Sequence, residues 1–387
     1  MTDLKNLYFQ LKDCFQIESP VFRIGNQVVC HTFPFESELP VVSQKPGVND
    51  SWRVRLLNQN NPENRSFRYG VFLPDSKPMH ARPIILLHGL NERSWDKYLP
   101  WAYTLAVQTS RPVILFPLAN HMNRSPGDWQ QPREMTRLVH RREENHGKIG
   151  NSSFANAALS YRMDESPVLF INSGMQTLFD LLKLTRQIYA GSHPLFSAKT
   201  GVDFFSYSIG AFVTEILLLA NPLRLFSDSK AFLFCGGATF DQMDGRSKSI
   251  LDDRAFSTLR AFIRRTAAPP DPGGADHSSM DAFWDAFLQM VSLERFNRYR
   301  DRILANIGRK IKAVGLKIDK VIPGNAIYQT LGSGPYNRQV QIADFNFAHS
   351  HETPFPISGN VNQADVEKAF HYVFSQAAQF LGSQRAM

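Results

Sequence analysis

The 387-residue sequence has only three cysteines, Cys14, Cys30 and Cys235. They cannot all pair within one chain, and their scatter is not a disulfide framework, so a reducing compartment is expected. Long hydrophobic runs are missing as well. Nothing approaches the roughly 18 apolar residues that span a bilayer, so no transmembrane segment is expected. Residues Met1 to Gln10 lack the basic start and apolar stretch of a secretory signal, and the expected location is cytoplasmic. There is no zinc-finger spacing and no Gly/aromatic single-strand-binding signature, so no nucleic-acid partner is expected. Charge of one sign is not in large excess. The 43 basic and 35 acidic residues leave a net +8, which permits an acidic substrate without requiring one. Oligomeric state cannot be read from these features.

Hydrophobic residues make up 43% of the chain and charged ones 20%, ordinary values for a globular protein with a large core. Residues 1–66 read as an N-terminal segment with a short amphipathic helix and two strands around Gly25-Asn26. Strands and helices alternate after that. Ile84–Leu87 and Val113–Leu115 lie in continuous apolar runs, as in a sheet covered on both faces. The expected fold class is α/β, a mostly parallel sheet with helices on both faces. The core is expected at 67–239 and 309–387. Two stretches interrupt it: a basic excursion at 119–172, whose part from Arg133 to Lys148 is read as a solvated face, and a largely helical cap insertion at 240–308 that includes the Pro/Gly loop 269–274, with helices expected over 252–266 and 281–307. The last strand is expected over 338–347.

The most informative segment is Ser206-Tyr207-Ser208-Ile209-Gly210. An apolar strand precedes it, and a helix ending at Asn221-Pro222 follows. Small-x-Ser-x-Gly at a strand-to-helix turn is the layout of a nucleophile elbow, which lifts a serine hydroxyl clear of the sheet. Such a serine needs a base, an orienting carboxylate and donors for the oxyanion. These parts follow in the chain order expected of the arrangement. His88-Gly89-Leu90-Asn91, after a buried strand, would supply the Leu90 amide, and the Ile209 amide would be the second donor. His88 is read as a brace for that loop. The acid is Asp319, delivered by the strand ending Leu316-Lys317-Ile318, with Asp241 as the rival. The base is His351, further into the loop after the last strand, with His349 as the alternate. A metal pair at His349 and His351 lacks an obvious partner set, so no metal is expected.

With the His-Gly loop, the elbow, Asp319 with its Val-Ile-Pro tail and the final histidine in place, the chain resembles a capped, esterase/lipase-like member of the α/β-hydrolase superfamily. Ser208-Ile209-Gly210-Ala211-Phe212, Phe234-Cys235-Gly236-Gly237 and His351-Glu352 are similar to an uncharacterised bacterial branch of it. The resemblance implies cleavage of a small-molecule carboxylic ester, thioester or amide through an acyl-serine, without a cofactor. An acyltransferase on the same triad, or a ligand-binding protein on the same fold, are the alternatives. The departure from the pattern is Ser206, where the first elbow Gly is usual. Phe283, Trp284, Phe287 and Leu288 read either as an acyl-binding face or as cap core.

Overall fold

The structure is a computed structural model that describes residues 3–38, 62–75, 82–266, 278–295, 297–332, 339–357 and 359–382. The loop 269–274 lies outside them. Its frame is a nine-stranded sheet: β1 (Val21–Ile24), β2 (Val28–Glu36), β3 (Ser66–Pro74), β4 (Ile84–Leu87), β5 (Val113–Leu115), β6 (Asp203–Tyr207), β7 (Ala231–Phe234), β8 (Ile311–Leu316) and β9 (Val340–Ala343). The spatial order is β1-β2-β3-β5-β4-β6-β7-β8-β9. Strands β1, β2 and β3 run antiparallel to their neighbours, and every pairing from β5 to β9 is parallel. The two N-terminal strands therefore continue the same sheet, with β2 paired to β3 along its whole length.

The alternation of side chains along the central strands explains their unbroken apolar sequences. Ile85, Leu87, Phe204 and Leu233 enter one core, while Ile84, Leu86, Phe205 and Phe232 enter the other. The second core is closed by the helices Leu4–Cys14, Leu99–Thr109 and Gln363–Gly382. The first is closed by Val168–Ala190 and Ile209–Ala220, and beyond them by Asp253–Thr266 and Ser279–Val291. This is an α/β-hydrolase fold, a mostly parallel sheet with helices on both faces, and its central strands deliver their loops to one carboxyl edge.

Three local expectations shift. The helical stretch foreseen over 281–307 is interrupted. Ser279–Val291 ends where both Asp241 carboxylate oxygens accept from the Leu293 amide, at 3.1 Å each, and where Arg300 of the next helix binds the carbonyls of Gln289, Ser292 and Leu293. Strand β9 stops at Ala343 rather than near Phe347, because Phe345 and Phe347 stack on each other and lead the chain into the histidine loop. Most of Pro132–His146 is solvent-facing, but Arg142 is buried between Asp252 and Asp164, so the basic excursion is pinned by an internal ion-pair cluster.

Candidate active site

The turn between β6 and the helix Ile209–Ala220 forces Ser208 to φ 57° and ψ −122°, a conformation that L-residues rarely adopt. The flanking small residues explain themselves at this point. A Cβ on Gly210 would stand 2.8 Å from the carbonyl oxygens of Leu87 and His88, and one on Gly236 would meet the Ala211 side chain. Ser206 is fully buried, and its hydroxyl is 2.6 Å from that of Thr214 on the following helix. Thr214 passes the bond on to the Gly210 carbonyl at 3.0 Å. A serine fits the first elbow position because the helix supplies its partner.

Ser208 Oγ lies 2.7 Å from His351 Nε2, and His351 Nδ1 lies 2.7 Å from Asp319 Oδ2. All three residues are buried. The other carboxylate oxygen, Asp319 Oδ1, accepts from the Val321 and Ile322 amides at 2.9 Å each, which gives the Val-Ile-Pro tail a physical role. Asp241 instead accepts from Thr239 and Leu293, and no bond joins it to either histidine among the described residues. His349 donates from Nδ1 to the Phe347 carbonyl at 2.7 Å and packs on Phe345 and Phe347. The two histidine rings therefore have different partners, the Phe347 carbonyl for His349 and Ser208 with Asp319 for His351. Only His351 reaches Ser208.

The amides of Leu90 and Ile209 have no acceptor among the described residues. Ile209 is the first residue of its helix, so its N–H has no intrahelical partner. Leu90 is set by the loop before it. Gly89 N donates to the Tyr98 hydroxyl at 3.0 Å, and His88 bridges its own loop to the next strand's loop. His88 Nδ1 bonds the Gly89 carbonyl at 2.8 Å, and Nε2 accepts from the Leu118 amide at 3.0 Å. That pairing needs a neutral ring. Burial, helped by nearby His121, holds the His88 pKa well below the usual histidine value.

Several supporting residues carried no recognisable sequence signal. The Tyr207 hydroxyl donates to the His351 backbone carbonyl, and its ring stacks on the imidazole with centroids 5.4 Å apart. Lys97 sits 4.7 Å over the Tyr207 ring, pairs with Glu92 and donates to the Glu352 carbonyl at 3.0 Å. Arg93 donates to the Ala155 carbonyl at 2.6 Å. Cys235, Asp319 and His351 bring one potential ligand atom each within 4.8 Å of one another. Asp319 and His351 are already matched to each other, and burial, with Asp319 adding to it, pushes the Cys235 thiol well up, away from the thiolate that metals bind.

Beside Leu90 and Ile209 opens a cavity of about 70 Å³, continuous with solvent. Its walls are mainly hydrocarbon, including Leu159, Phe170, Phe212 and Val213. Of the four apolar residues singled out between 283 and 288, Phe287 lines it, while Phe283 is fully buried against Phe179.

The fold and the Ser208–His351–Asp319 chain thus define an α/β-hydrolase scaffold with a buried, hydrogen-bonded serine at its elbow. Within that class, residues 3–382 match a family described only as one of unknown function, DUF6051, and the chain belongs to it. No curated protein sequence matches the chain. Similar solved structures include a cold-adapted esterase from an Arctic intertidal metagenomic library, 10% identical, covering 95% of this chain and 98% of that one with a TM-score of 0.42. A thermostable esterase from Pseudomonas putida is 9% identical, with 98% and 89% covered and a TM-score of 0.44. A peroxisomal α/β-hydrolase from Saccharomyces cerevisiae is 13% identical, with 93% and 91% covered and a TM-score of 0.40. Identities this low concern the fold, and the reading of the site rests on its own geometry.

Proposed function

We propose that this protein is a serine hydrolase that cleaves a small-molecule carboxylic ester through an acyl-serine intermediate. The observation that carries the reading is the pair of 2.7 Å contacts linking Ser208 Oγ, His351 and Asp319, beside two amides without acceptors. In this reading His351 Nε2 takes the Ser208 proton as Oγ attacks the ester carbonyl. Asp319 fixes the proton on Nδ1, leaving Nε2 free to accept, and stabilises the imidazolium that forms. The Leu90 and Ile209 amides receive the tetrahedral oxyanion, a term typically worth about 3–4 kcal/mol per donor. His351 then protonates the leaving alcohol. Water, activated by the same histidine, releases the acid and restores Ser208. Tyr207 holds the histidine from below through its ring and hydroxyl.

The test is intact mass after reaction with a fluorophosphonate, comparing the native protein with Ser208→Ala, His351→Ala and His349→Ala. The expected result is one adduct on the native protein, none on Ser208→Ala, strongly slowed labelling of His351→Ala and ordinary labelling of His349→Ala. A folded native protein that stays unlabelled, or a Ser208→Ala variant that still labels, overturns the reading.

A further inference from the structure

The cavity beside Leu90 and Ile209 has a mainly apolar lining, with the polar residues Asn120, His121, Ser173 and Thr177 and one charged residue. Arg162, on the helix Ala157–Glu165, is one of its walls. Its side chain has no ion pair and no hydrogen bond among the described residues. The neighbouring carboxylate, Asp164, is occupied by Arg142, Arg254 and Thr258. What Arg162 does have is the face of Trp129, 4.5 Å from its guanidinium carbon. Burial is the only influence on its pKa, which is pushed down to about 10, so no acidic group compensates it. It remains a cation at neutral pH.

Arg162 is half-buried, so its guanidinium has lost part of its hydration without gaining an anionic partner, and contact with an indole face offsets only part of that loss. Other arginines in this protein are treated differently. Arg124 and Arg142, more deeply buried than the half-buried Arg162, are each matched by buried aspartates. A second polar group of the same cavity is also unsatisfied. His121 is 7% exposed, donates from Nδ1 to the Ala119 carbonyl at 2.9 Å, and leaves Nε2 buried with no partner. Burial lowers the pKa of His121 to about 4, so its free nitrogen is an acceptor rather than a second cation.

We infer that the acyl group of the substrate carries a carboxylate at its far end, received by Arg162, so that the substrate is a monoester of a dicarboxylic acid. This rests on the proposed ester chemistry at Ser208. Leu90, Ile209 and Arg162 all line this cavity, so the methylene chain lies along its hydrocarbon walls. The planar guanidinium suits a carboxylate, and the Trp129 ring packs against it. In the reaction, Ser208 Oγ bonds the ester carbonyl carbon and the carbon–oxygen bond to the alcohol breaks. The alcohol leaves with the proton held by His351, and water converts the acyl-serine to the free diacid. The carboxylate on Arg162 takes no part in bond making and acts on positioning alone.

The experiment compares p-nitrophenyl monoesters of succinic, glutaric and adipic acid with the neutral alkanoate esters of matching length, on the native protein and on Arg162→Met, Arg162→Lys and Ser208→Ala. The expected native preference in kcat/KM for the best-fitting anionic ester is about 10- to 100-fold, the range of a charge-assisted contact. Arg162→Met abolishes the preference while keeping turnover of the neutral ester, and Arg162→Lys retains part of it. Ser208-dependent turnover of neutral esters with no anionic preference in the native protein overturns this inference alone. Equal loss on both ester series in Arg162→Met and Arg162→Lys makes Arg162 a purely structural partner of Trp129 and also overturns it. Absence of any Ser208-dependent turnover overturns the hydrolase reading and this inference together.

Discussion

Replacing Asp319 by Asn is the most demanding test of the site, because the structure dictates how the new amide must sit. Oδ1 accepts two backbone N–H groups, from Val321 and Ile322, at 2.9 Å. An NH₂ group at that position would face two donors, losing both bonds and leaving buried amides unpaired, so the asparagine oxygen must stay there. The NH₂ group then takes the place of Oδ2, opposite His351 Nδ1, now 2.7 Å from the carboxylate. As a donor it requires Nδ1 to be the acceptor, which moves the ring proton to Nε2. Nε2–H then faces Ser208 Oγ and has no lone pair to take its proton.

The geometry of the site is kept, the bonds are nearly conserved, and stability should change by about 1 kcal/mol or less. The rate should nevertheless fall by about 10⁴-fold, equivalent to about 5.4 kcal/mol in the barrier. The second-order rate of fluorophosphonate inactivation measures this without knowledge of the natural substrate, and denaturant unfolding checks the fold. Asp241→Asn serves as the comparison and should react at close to the native rate. Asp319→Asn within about tenfold of native, or an equal loss in Asp241→Asn, would refute the assignment of Asp319 as the orienting acid.

Other outcomes follow from particular residues. Ser208 sits at φ 57°, so Ser208→Gly should be more stable than Ser208→Ala by about 1–2 kcal/mol, read from denaturant midpoints; equal stabilities would mean the elbow is unstrained. His88, His121 and His193 are held neutral by burial, His121 and His193 with pKa values lowered to about 4. Their unfolded forms take up protons near pH 6.5, so the stability they contribute is intact above that pH and is lost as pH falls toward 4. At pH 5 the loss is about 2 kcal/mol for each of His121 and His193, visible as an acid-side fall in denaturant midpoint that His193→Gln reduces. Glu215 is buried with both carboxylate oxygens unpartnered, and burial raises its pKa well above the usual value against the pull of Arg300. The unfolded chain ionises Glu215 more readily than the folded one, so it costs stability above about pH 4.5; Glu215→Leu should raise the unfolding free energy at pH 7 by about 1–3 kcal/mol, and no gain would mean that the carboxyl has an acceptor.

What was legible in the sequence was whatever one segment could express alone. The β6 strand, the elbow and the helix after it are contiguous, so Ser208 and the Ile209 amide could be read together. Asp319 was legible because its own next residues supply its donors. The choice between His349 and His351 was open, because it depends on a loop whose shape is set by Phe345, Phe347 and Phe355, not by local propensity. The N-terminal strands were read as a segment before the core, since pairing of β2 with β3 crosses a long stretch of chain that no periodicity reveals. Arg142 lies in the stretch from Arg133 to Lys148 that reads as a solvated face, and nothing in the sequence singles out Arg162. Their different environments come from Asp252 in one case and Trp129 in the other.

The two insertions are not independent of the reacting groups. Asn91, in the left-handed conformation that asparagine tolerates, extends its side-chain amide to the carbonyls of both Ala155 and Ser249, at 2.8 and 2.7 Å. One residue of the oxyanion loop thereby ties the 119–172 excursion to the 240–308 segment. On the other side of the site, Ser247 donates to the Glu352 carboxylate, immediately after His351. The segments that line the cavity are thus bonded to the loop that presents the Leu90 amide and to the loop that presents the base. In the proposed reading, a substrate filling the cavity pushes on walls whose anchors are the neighbours of Leu90 and His351. In the proposed mechanism, occupancy far from the carbonyl is therefore felt in the placement of the oxyanion donor and the histidine, which is how remote binding raises kcat rather than only lowering KM.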